Sequence, residues 1–246
     1  MVLASVQTKP RQKDIAGNLD DHYRSVKIAA DSGADLIVFP EMSITGYERE
    51  NALKLSFIEE DSRLDKLRIL SADTRSIIIA GAPVKTDSGL YIGSFVVKPD
   101  NTISIYIKQF LHEGEDKYFK SSFDYNPLIE TDNERISLAI CADIDHRAHP
   151  ENARIADSSI YIASLFWSLK GIYEAHNLLG NYAKEFSMNI LMSNYCGKVW
   201  GIDAGGRSAF WNSDGNLITT LDDKNTGILM VMKNGDNWIG KNVPDK

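Results

Sequence analysis

Short apolar strands that alternate with helical stretches are the feature that most restricts the fold of this chain. Residues 2–7 and 35–39 are apolar runs of strand length, and between them apolar side chains recur at helical spacing in residues 17–31. A similar strand, helix and strand series occupies residues 136–165. This alternation is typical of α/β proteins, in which helices connect parallel strands. The sequence therefore predicts an α/β fold with two βαβ halves related by a pseudo-two-fold repeat.

The remaining segments continue the same pattern. Residues 99–101 are typical turn residues between two predicted strands. Asp214-Gly215 predicts a hairpin between two further strands near the end of the sequence. Further helices are predicted over residues 60–75, 151–156 and 171–186, and further strands over residues 77–81, 90–98, 102–108, 160–163, 189–193 and 226–232. Residues 1–246 are predicted to form a single domain, since one large α/β domain accommodates this length.

Composition excludes several classes of protein. An apolar fraction of 43% and a charged fraction of 25% are those of an ordinary soluble globular chain, so folding requires no metal or disulfide. The net charge of -7 and the lack of a basic cluster argue against a nucleic-acid partner. No run approaches the ~20 apolar residues that span a bilayer, and residues 1–6 lack the features of a secretory signal. We therefore expect neither a nucleic-acid nor a membrane partner.

The cysteine content points to a reducing compartment. Only two cysteines occur, Cys141 and Cys196, and a secreted scaffold of this size would not be stapled by so few. A cytoplasmic location is therefore predicted, with both residues as thiols. Each thiol is then either a small buried apolar group or a reactive one.

Three residues suited to acyl-transfer chemistry follow predicted strands. Glu41 comes after the strand that Pro40 ends, Lys108 closes a strand, and Cys141 follows the apolar strand 135–140. Taken singly, each has an ordinary explanation as a solvated carboxylate, an edge lysine or a packed thiol. Taken together they have a chemical logic, because a thiol needs a base to become a nucleophile and the oxyanion that forms needs a nearby positive charge.

The residues around these positions resemble the nitrilase, or carbon–nitrogen hydrolase, superfamily. The matching motifs run in order through nearly the whole chain: FPE at 39–41, TGY at 45–47, KQFL at 108–111, YF at 118–119, AICAD at 139–143, HPE at 149–151, FW at 166–167, SN at 193–194, GGRS at 205–208 and DG at 214–215. The resemblance implies a four-layer αββα sandwich with two mixed sheets. It also implies a small-molecule substrate, no cofactor or metal, and a homodimer or larger homo-oligomer.

The resemblance also assigns roles at the matching positions. It implies that Cys141 is the nucleophile, that Glu41 is the general base, and that Lys108 and the backbone N–H of Ala142 stabilise the tetrahedral intermediate. Glu115 matches the second glutamate of the family. The activity expected is hydrolysis of a non-peptide carbon–nitrogen bond in a small amide through a cysteine thioester, with release of ammonia or an amine.

Four aromatic residues near these motifs are candidates for substrate binding. We predict that Tyr47, Tyr118, Phe166 and Trp167 line the pocket, with core packing as the open alternative because large rings are usually buried for their area. Residues 144–148 make a longer loop after the cysteine than the family usually has, and we expect this loop to contact the substrate.

Several alternative functions remain open on the sequence. An N-carbamoyl-amine hydrolase or a nitrilase would use the same three residues, and a non-catalytic or glutaminase-type subunit of a larger assembly would keep the fold. A papain-type enzyme would need one of His112, His146, His149 or His176 beside the cysteine. The spacing of His146 and His149 is also compatible with a metal pair, although two histidines without further ligands form a weak zinc signal.

Overall fold

The computed structural model describes residues 1–131 and 133–245, which form two β-sheets flanked by helices. The helices are α1 (Ile15–Asp31), α2 (Ala52–Leu55), α3 (Asp65–Thr74), α4 (Ala148–Ile155) and α5 (Ile172–Phe186), with short 3-10 helices at Ser62–Leu64 and Cys141–Asp145. The strands are β1 (Val2–Gln7), β2 (Leu36–Val38), β3 (Ile77–Thr86), β4 (Gly89–Val97), β5 (Ile103–Ile107), β6 (Ile129–Glu130), β7 (Arg135–Ile140), β8 (Ile160–Ser164), β9 (Asn189–Ser193), β10 (Cys196–Val199), β11 (Ile202–Gly205), β12 (Ala209–Trp211), β13 (Leu217–Thr220), β14 (Gly227–Asn234) and β15 (Asn237–Val243).

Both large sheets are mixed, as the family resemblance implies. The first has seven strands in the order β15-β14-β1-β2-β3-β4-β5, and the second has six in the order β13-β12-β9-β8-β7-β6. In the first sheet β1, β2 and β3 are parallel, and in the second β7, β8 and β9 are parallel. Helices connect the parallel strands in both trios. These two trios are the predicted pseudo-two-fold βαβ halves.

Side-chain alternation along the strands builds the four layers. In β1, Leu3 packs into the core between the two sheets while Ala4 packs into the core on the opposite face; in β7, Leu138 and Ala139 divide in the same way. Three separate apolar cores result, one between the sheets and one beneath the helices on each outer face. The architecture is therefore the αββα sandwich, and it brings the two sheets face to face.

The helices cover the outer faces because each has one apolar side and a defined start. Asp14 caps α1 by accepting a hydrogen bond from the backbone N–H of Gly17 at 3.0 Å, and Leu19 and Val26 face the sheet. On the other side of the molecule, α5 buries Leu179 and neighbouring apolar residues against the second sheet. In the part of the chain that the structure describes, no helix combines the length and apolar character needed to cross a bilayer.

Most predicted elements are present, with a few differences at their bounds. The predicted helix 60–75 is a 3-10 turn followed by α3, and the strand predicted over 77–81 continues as β3 to Thr86. The segment after Cys141 was expected to be a loop and is instead a 3-10 helix. Strand β15 was not predicted at all, and it pairs antiparallel with β14 at the edge of the first sheet.

Candidate active site

Glu41 lies just past the carboxyl end of β2, which is central in the first sheet. Two backbone features fix its position. Met42, the next residue, has a left-handed φ of 50°, and the Tyr195 hydroxyl donates a hydrogen bond to the carbonyl oxygen of Glu41. Gly81 on β3 packs beneath this turn so closely that a Cβ there would lie 2.5 Å from the Met42 nitrogen. The carboxylate is fully buried.

Lys108 lies immediately after β5, and its side chain is fully buried between two carboxylates. Its Nζ donates to Glu41 Oε1 at 2.8 Å and to both oxygens of Glu115, at 3.0 and 2.9 Å. A buried ammonium is tolerated only when it is paired and hydrogen-bonded, and these contacts use all three of its donors. The sequence thus places one cation and two anions in a closed cluster.

Glu115 is held from three directions. It accepts hydrogen bonds from Lys108, from the Tyr47 hydroxyl at 2.7 Å, and from the backbone N–H of His112 at 2.8 Å. Because every one of these donors favours the ionised carboxylate, Glu115 is well suited to hold a fixed negative charge beside Lys108.

Cys141 is the first residue of the 3-10 helix that follows β7, and its backbone is in the left-handed region with φ of 44°. Residues other than glycine rarely adopt this backbone conformation, and where they do so the surrounding structure holds them in place. The thiol is 8% exposed, and its Sγ lies 3.7 Å from the carbonyl oxygen of Phe166. This turn directs the sulfur into the cavity that Glu41 also lines.

The pKa values of the two carboxyl groups in the cluster are shifted in opposite directions. Burial raises the pKa of Glu41 to about 7, although Lys108 acts in the opposite direction. For Glu115, burial also acts to raise the pKa, but the Lys108 ammonium and the other donors outweigh it and the pKa is lowered. One carboxyl group is therefore poised to exchange a proton near neutral pH, and the other remains ionised.

Lys108 and Cys141 both favour their protonated forms at neutral pH. Burial acts to lower the pKa of Lys108, but Glu41, Cys141 and Glu115 outweigh it and the pKa is raised, so the ammonium persists at neutral pH. Burial raises the pKa of Cys141 well above its ordinary value, and Glu41 adds to this effect. The thiol therefore needs a base to lose its proton.

Glu41 has an oxygen available for that proton. Its Oε2 is buried and accepts no hydrogen bond from residues 1–131 or 133–245. The Cys141 thiol is close enough to favour the ionised form of Glu41, although no well-formed hydrogen bond joins the two groups. Such an unpaired buried oxygen next to a thiol is the arrangement that proton transfer requires.

Asp143 connects the segment that begins at Cys141 to the segment that follows Lys108. It is fully buried, and its Oδ1 accepts hydrogen bonds from the backbone N–H groups of Gln109 and Phe110 at 3.0 and 2.8 Å. Its Oδ2 accepts from the backbone N–H of Ile140 at 2.8 Å and from the Tyr106 hydroxyl at 2.6 Å. This carboxylate therefore connects the second sheet to the first, directly beside the cluster.

The predicted pocket aromatics divide into two groups. Tyr47, Phe166 and Trp167 line a cavity of about 310 Å³ together with Glu41, Glu115 and Cys141. Tyr47 and Phe166 are also in ring contact, with centroids 5.0 Å apart. Tyr118 is 39% exposed and is not part of this lining. Lys108 and Ala142 are buried and are not among the residues that line the cavity.

Arg49, Trp200 and Ile202 also line the cavity and were not identified from the sequence, because their positions depend on how loops meet in space. His112 also lines it, although the sequence suggested this residue only as the histidine of a papain-type site. Asp145 lies in residues 144–148, the segment expected to contact the substrate.

The histidine pair that suggested a metal site is already engaged in other contacts. The two ring nitrogens of His149 lie 2.8 and 2.7 Å from the hydroxyls of Tyr106 and Tyr161, and His146 stacks on Phe110 with ring centroids 3.9 Å apart. His149 therefore has no nitrogen available for a metal.

The family of the chain follows from comparison with known proteins. The sequence model of the carbon-nitrogen hydrolase family matches residues 2–233, so this chain belongs to the carbon-nitrogen hydrolase family. Its fold is that of solved nitrilase-superfamily amidases. An amidase from Nesterenkonia sp. AN1 superposes with a TM-score of 0.87 at 21% sequence identity, over 96% of this chain and 94% of that one.

Among curated proteins, the relatives have more than one activity. The chain is 24% identical over 193 residues to the omega-amidase YafV of Escherichia coli K12, which covers 78% of this chain and 74% of the relative. It is also 27% identical over 210 residues to the glutamine-dependent NAD(+) synthetase of Thermotoga maritima, covering 80% of this chain. The match spans only 35% of that synthetase.

Proposed function

We propose that this chain hydrolyses the carbon–nitrogen bond of a small non-peptide amide, with Cys141 as nucleophile, Glu41 as general base and Lys108 as the positive charge that stabilises the oxyanion. The observation that carries the proposal is the buried cluster in which Lys108 bridges Glu41 and Glu115 beside the thiol. The amidases among its structural neighbours and the omega-amidase relative support the choice of an amide.

In the first half of the proposed reaction, Glu41 takes the proton of the Cys141 thiol while the sulfur bonds to the amide carbon. The carbonyl oxygen becomes an oxyanion, stabilised by the Lys108 ammonium and the backbone N–H of Ala142. Glu41 then gives its proton to the nitrogen, the carbon–nitrogen bond breaks, and ammonia or an amine leaves. The acyl group remains on the sulfur as a thioester.

In the second half, a water molecule gives a proton to Glu41 and adds to the thioester carbon. The carbon–sulfur bond breaks, Glu41 returns the proton to the thiolate, and a carboxylic acid is released. One carboxyl group thus acts as base and acid in turn, which suits a group with its pKa near 7. Glu115 stays ionised and keeps Lys108 charged and in place.

The electrostatic surroundings of the thiol favour this scheme over a papain-type mechanism. The groups that most affect the Cys141 pKa, after burial, are Glu41, Lys108 and Glu115. His112 lines the same cavity, but within residues 1–131 and 133–245 the Cys141 sulfur contacts the Phe166 carbonyl oxygen and forms no hydrogen bond with a histidine. A carboxylate is therefore the better candidate for the base.

The test is an ammonia-release screen of small amides, carbamoyl amines and nitriles with the wild-type chain, Cys141→Ala and Cys196→Ser. Cys196 is the matched control because it is also a buried free thiol, and its Sγ lies 3.8 Å from the Thr8 carbonyl, which a serine hydroxyl can also reach. We expect Cys141→Ala to lose both turnover and the acyl adduct seen by intact-protein mass spectrometry, and Cys196→Ser to keep both. Turnover in Cys141→Ala would reject the proposal.

A further inference from the structure

The cavity contains two charges that the protein does not neutralise. Glu41 and Glu115 share Lys108, but Arg49 and Asp145 also line the cavity. Within the described ranges 1–131 and 133–245, neither of these two forms an ion pair. The rest of the wall is largely aromatic and apolar. Arg49 is half-buried and Asp145 is exposed, so both charges are available to a substrate that enters the cavity from solvent.

Arg49 is held as a fixed, preoriented guanidinium. Its Nε donates to the Tyr47 hydroxyl at 2.7 Å and its Nη1 to the Glu113 carbonyl oxygen at 3.2 Å. The group also lies over the Trp200 ring, 4.8 Å from its centroid. These contacts fix the plane of the guanidinium and leave Nη2 free of protein acceptors in the described residues. A planar guanidinium of this kind is suited to binding a carboxylate.

Asp145 is an exposed carboxylate at the cavity wall. Its side chain makes no hydrogen bond to any residue in 1–131 or 133–245. Partial burial raises its pKa, and His112, His146 and Lys108 act in the opposite direction. The protein therefore does little to stabilise this negative charge. Asp145 follows Cys141 by four residues of 3-10 helix, which is a rise of about 8 Å, so a short substrate chain bound at the sulfur can reach it.

We propose that the cavity selects short amides whose far end carries both an ammonium and a carboxylate group, as in the side-chain amide of an α-amino acid. Arg49 binds the carboxylate and Asp145 binds the ammonium, while the amide carbon lies at Cys141. This inference rests on the proposed amidase activity and adds the substrate class to it. A cavity of about 310 Å³ matches a ligand of this size.

Four amides with the same four-carbon chain from the amide carbon test the two charges separately. Butyramide has neither charge, 4-aminobutyramide has the ammonium, glutaric acid monoamide has the carboxylate, and L-glutamine has both. We expect kcat/KM for L-glutamine to exceed that for each singly charged amide by about tenfold, since hydrogen bonds to charged groups contribute roughly this much. Butyramide should be the poorest substrate. Ammonia released in Cys141→Ala serves as the blank.

The two residues are then assigned by ratios measured within each variant. Arg49→Gln should abolish the advantage of L-glutamine over 4-aminobutyramide, which differs by the carboxylate, and keep its advantage over glutaric acid monoamide. Asp145→Asn should do the reverse. Any shared effect on folding or on the chemical step cancels in these ratios, which matters because Arg49 also contacts the hydroxyl of Tyr47.

The outcomes separate this inference from the proposed function. If the wild-type chain cleaves butyramide as well as L-glutamine, or prefers a singly charged amide, the zwitterion inference fails and the amidase proposal stands. Unchanged ratios in both variants would likewise overturn it. If neither these four compounds nor any other amide releases ammonia, the amidase proposal fails, and this inference fails with it.

Discussion

Replacing Asp143 with asparagine tests whether Cys141, the proposed nucleophile, is positioned by the carboxylate that joins the two sheets. An asparagine oxygen can keep the two hydrogen bonds from the backbone N–H groups of Gln109 and Phe110. Its NH₂ group then faces the backbone N–H of Ile140, where the wild-type oxygen accepts at 2.8 Å. The Tyr106 hydroxyl can rotate to accept instead, so the substitution selectively removes the contact at the end of β7, directly before Cys141.

The size of the effect follows from that one lost contact. A hydrogen bond to a charged group contributes about 1.5–3 kcal/mol, and leaving a buried N–H opposite a second donor adds to the loss. For a chain of this length, we expect the melting temperature to fall by about 3–12 °C. If the same free energy is lost from the positioning of the sulfur, kcat should fall about 10- to 100-fold with little change in KM.

The assay combines three readings on purified Asp143→Asn and wild-type protein: melting temperature, kcat and KM on a cleaved amide, and the rate of alkylation of Cys141 by iodoacetamide. Tyr106→Phe is the matched control because it removes a different partner of the same carboxylate and keeps the Ile140 contact. A lower melting temperature with wild-type kcat and alkylation rate would show that Asp143 contributes to stability alone, and the positioning argument would be refuted.

Three further predictions concern the charged cluster and its support. Since Glu41 has its pKa raised to about 7 and must be ionised to accept the thiol proton, kcat/KM should fall about tenfold per pH unit below that value, as a pH–rate profile would show. Lys108→Met should lower kcat by at least ~100-fold and destabilise the fold by about 3–5 kcal/mol at neutral pH in denaturant titrations, because two carboxylates lose their partner; the stability loss should shrink as the pH falls and they bind protons. Gly81→Ala should reduce both activity and melting temperature, since its Cβ would meet the Met42 backbone at 2.5 Å, whereas Gly227→Ala, with contacts of 3.5 Å or more, should be tolerated.

Each of these has a result that contradicts it. A flat pH–rate profile between pH 5 and 8 would mean that the proton acceptor is another group. A Lys108→Met variant with near wild-type kcat would remove the lysine from oxyanion stabilisation. Equal behaviour of the two alanine variants would mean that the turn after β2 adapts more easily than its close packing indicates.

Most of the fold could be predicted from the sequence because its apolar residues recur at helical spacing in some segments and form strand-length runs in others. The bounds of β1, β7 and β9 agree with the prediction, and α5 begins one residue later than expected. Strand β15 was not predicted because its apolar residues do not alternate regularly with polar ones, and it is stabilised by pairing with β14 at a sheet edge. The 3-10 helix at Cys141 was not predicted because it depends on a hydrogen bond from the backbone N–H of Ile140 to the Asp143 side chain. No periodic pattern in the sequence indicates such a contact.

The site was predictable only where motifs mark it. Glu41, Lys108, Glu115 and Cys141 were selected from strand ends and motif order, and the structure brings them together around one cavity. The position of Arg49 could not be predicted because it depends on the stacking of its guanidinium on Trp200, about 150 residues further along the printed sequence. Tertiary contacts between loops of this kind carry no periodic signal.

The division of the cluster between two sheets has a consequence for how the chain can be cut. Glu41 and Lys108 belong to the first sheet and Cys141 to the second, so neither half of the pseudo-repeat holds a complete set of reacting groups. In the proposed mechanism, the strands of one sheet alone would lack part of this set. Because β14 and β15 pair with β1 in the first sheet, a cut between β5 and β6 would also leave part of that sheet on the second piece. If the two pieces were mixed, the proposed mechanism predicts that amide hydrolysis would appear only when the two sheets pack against each other.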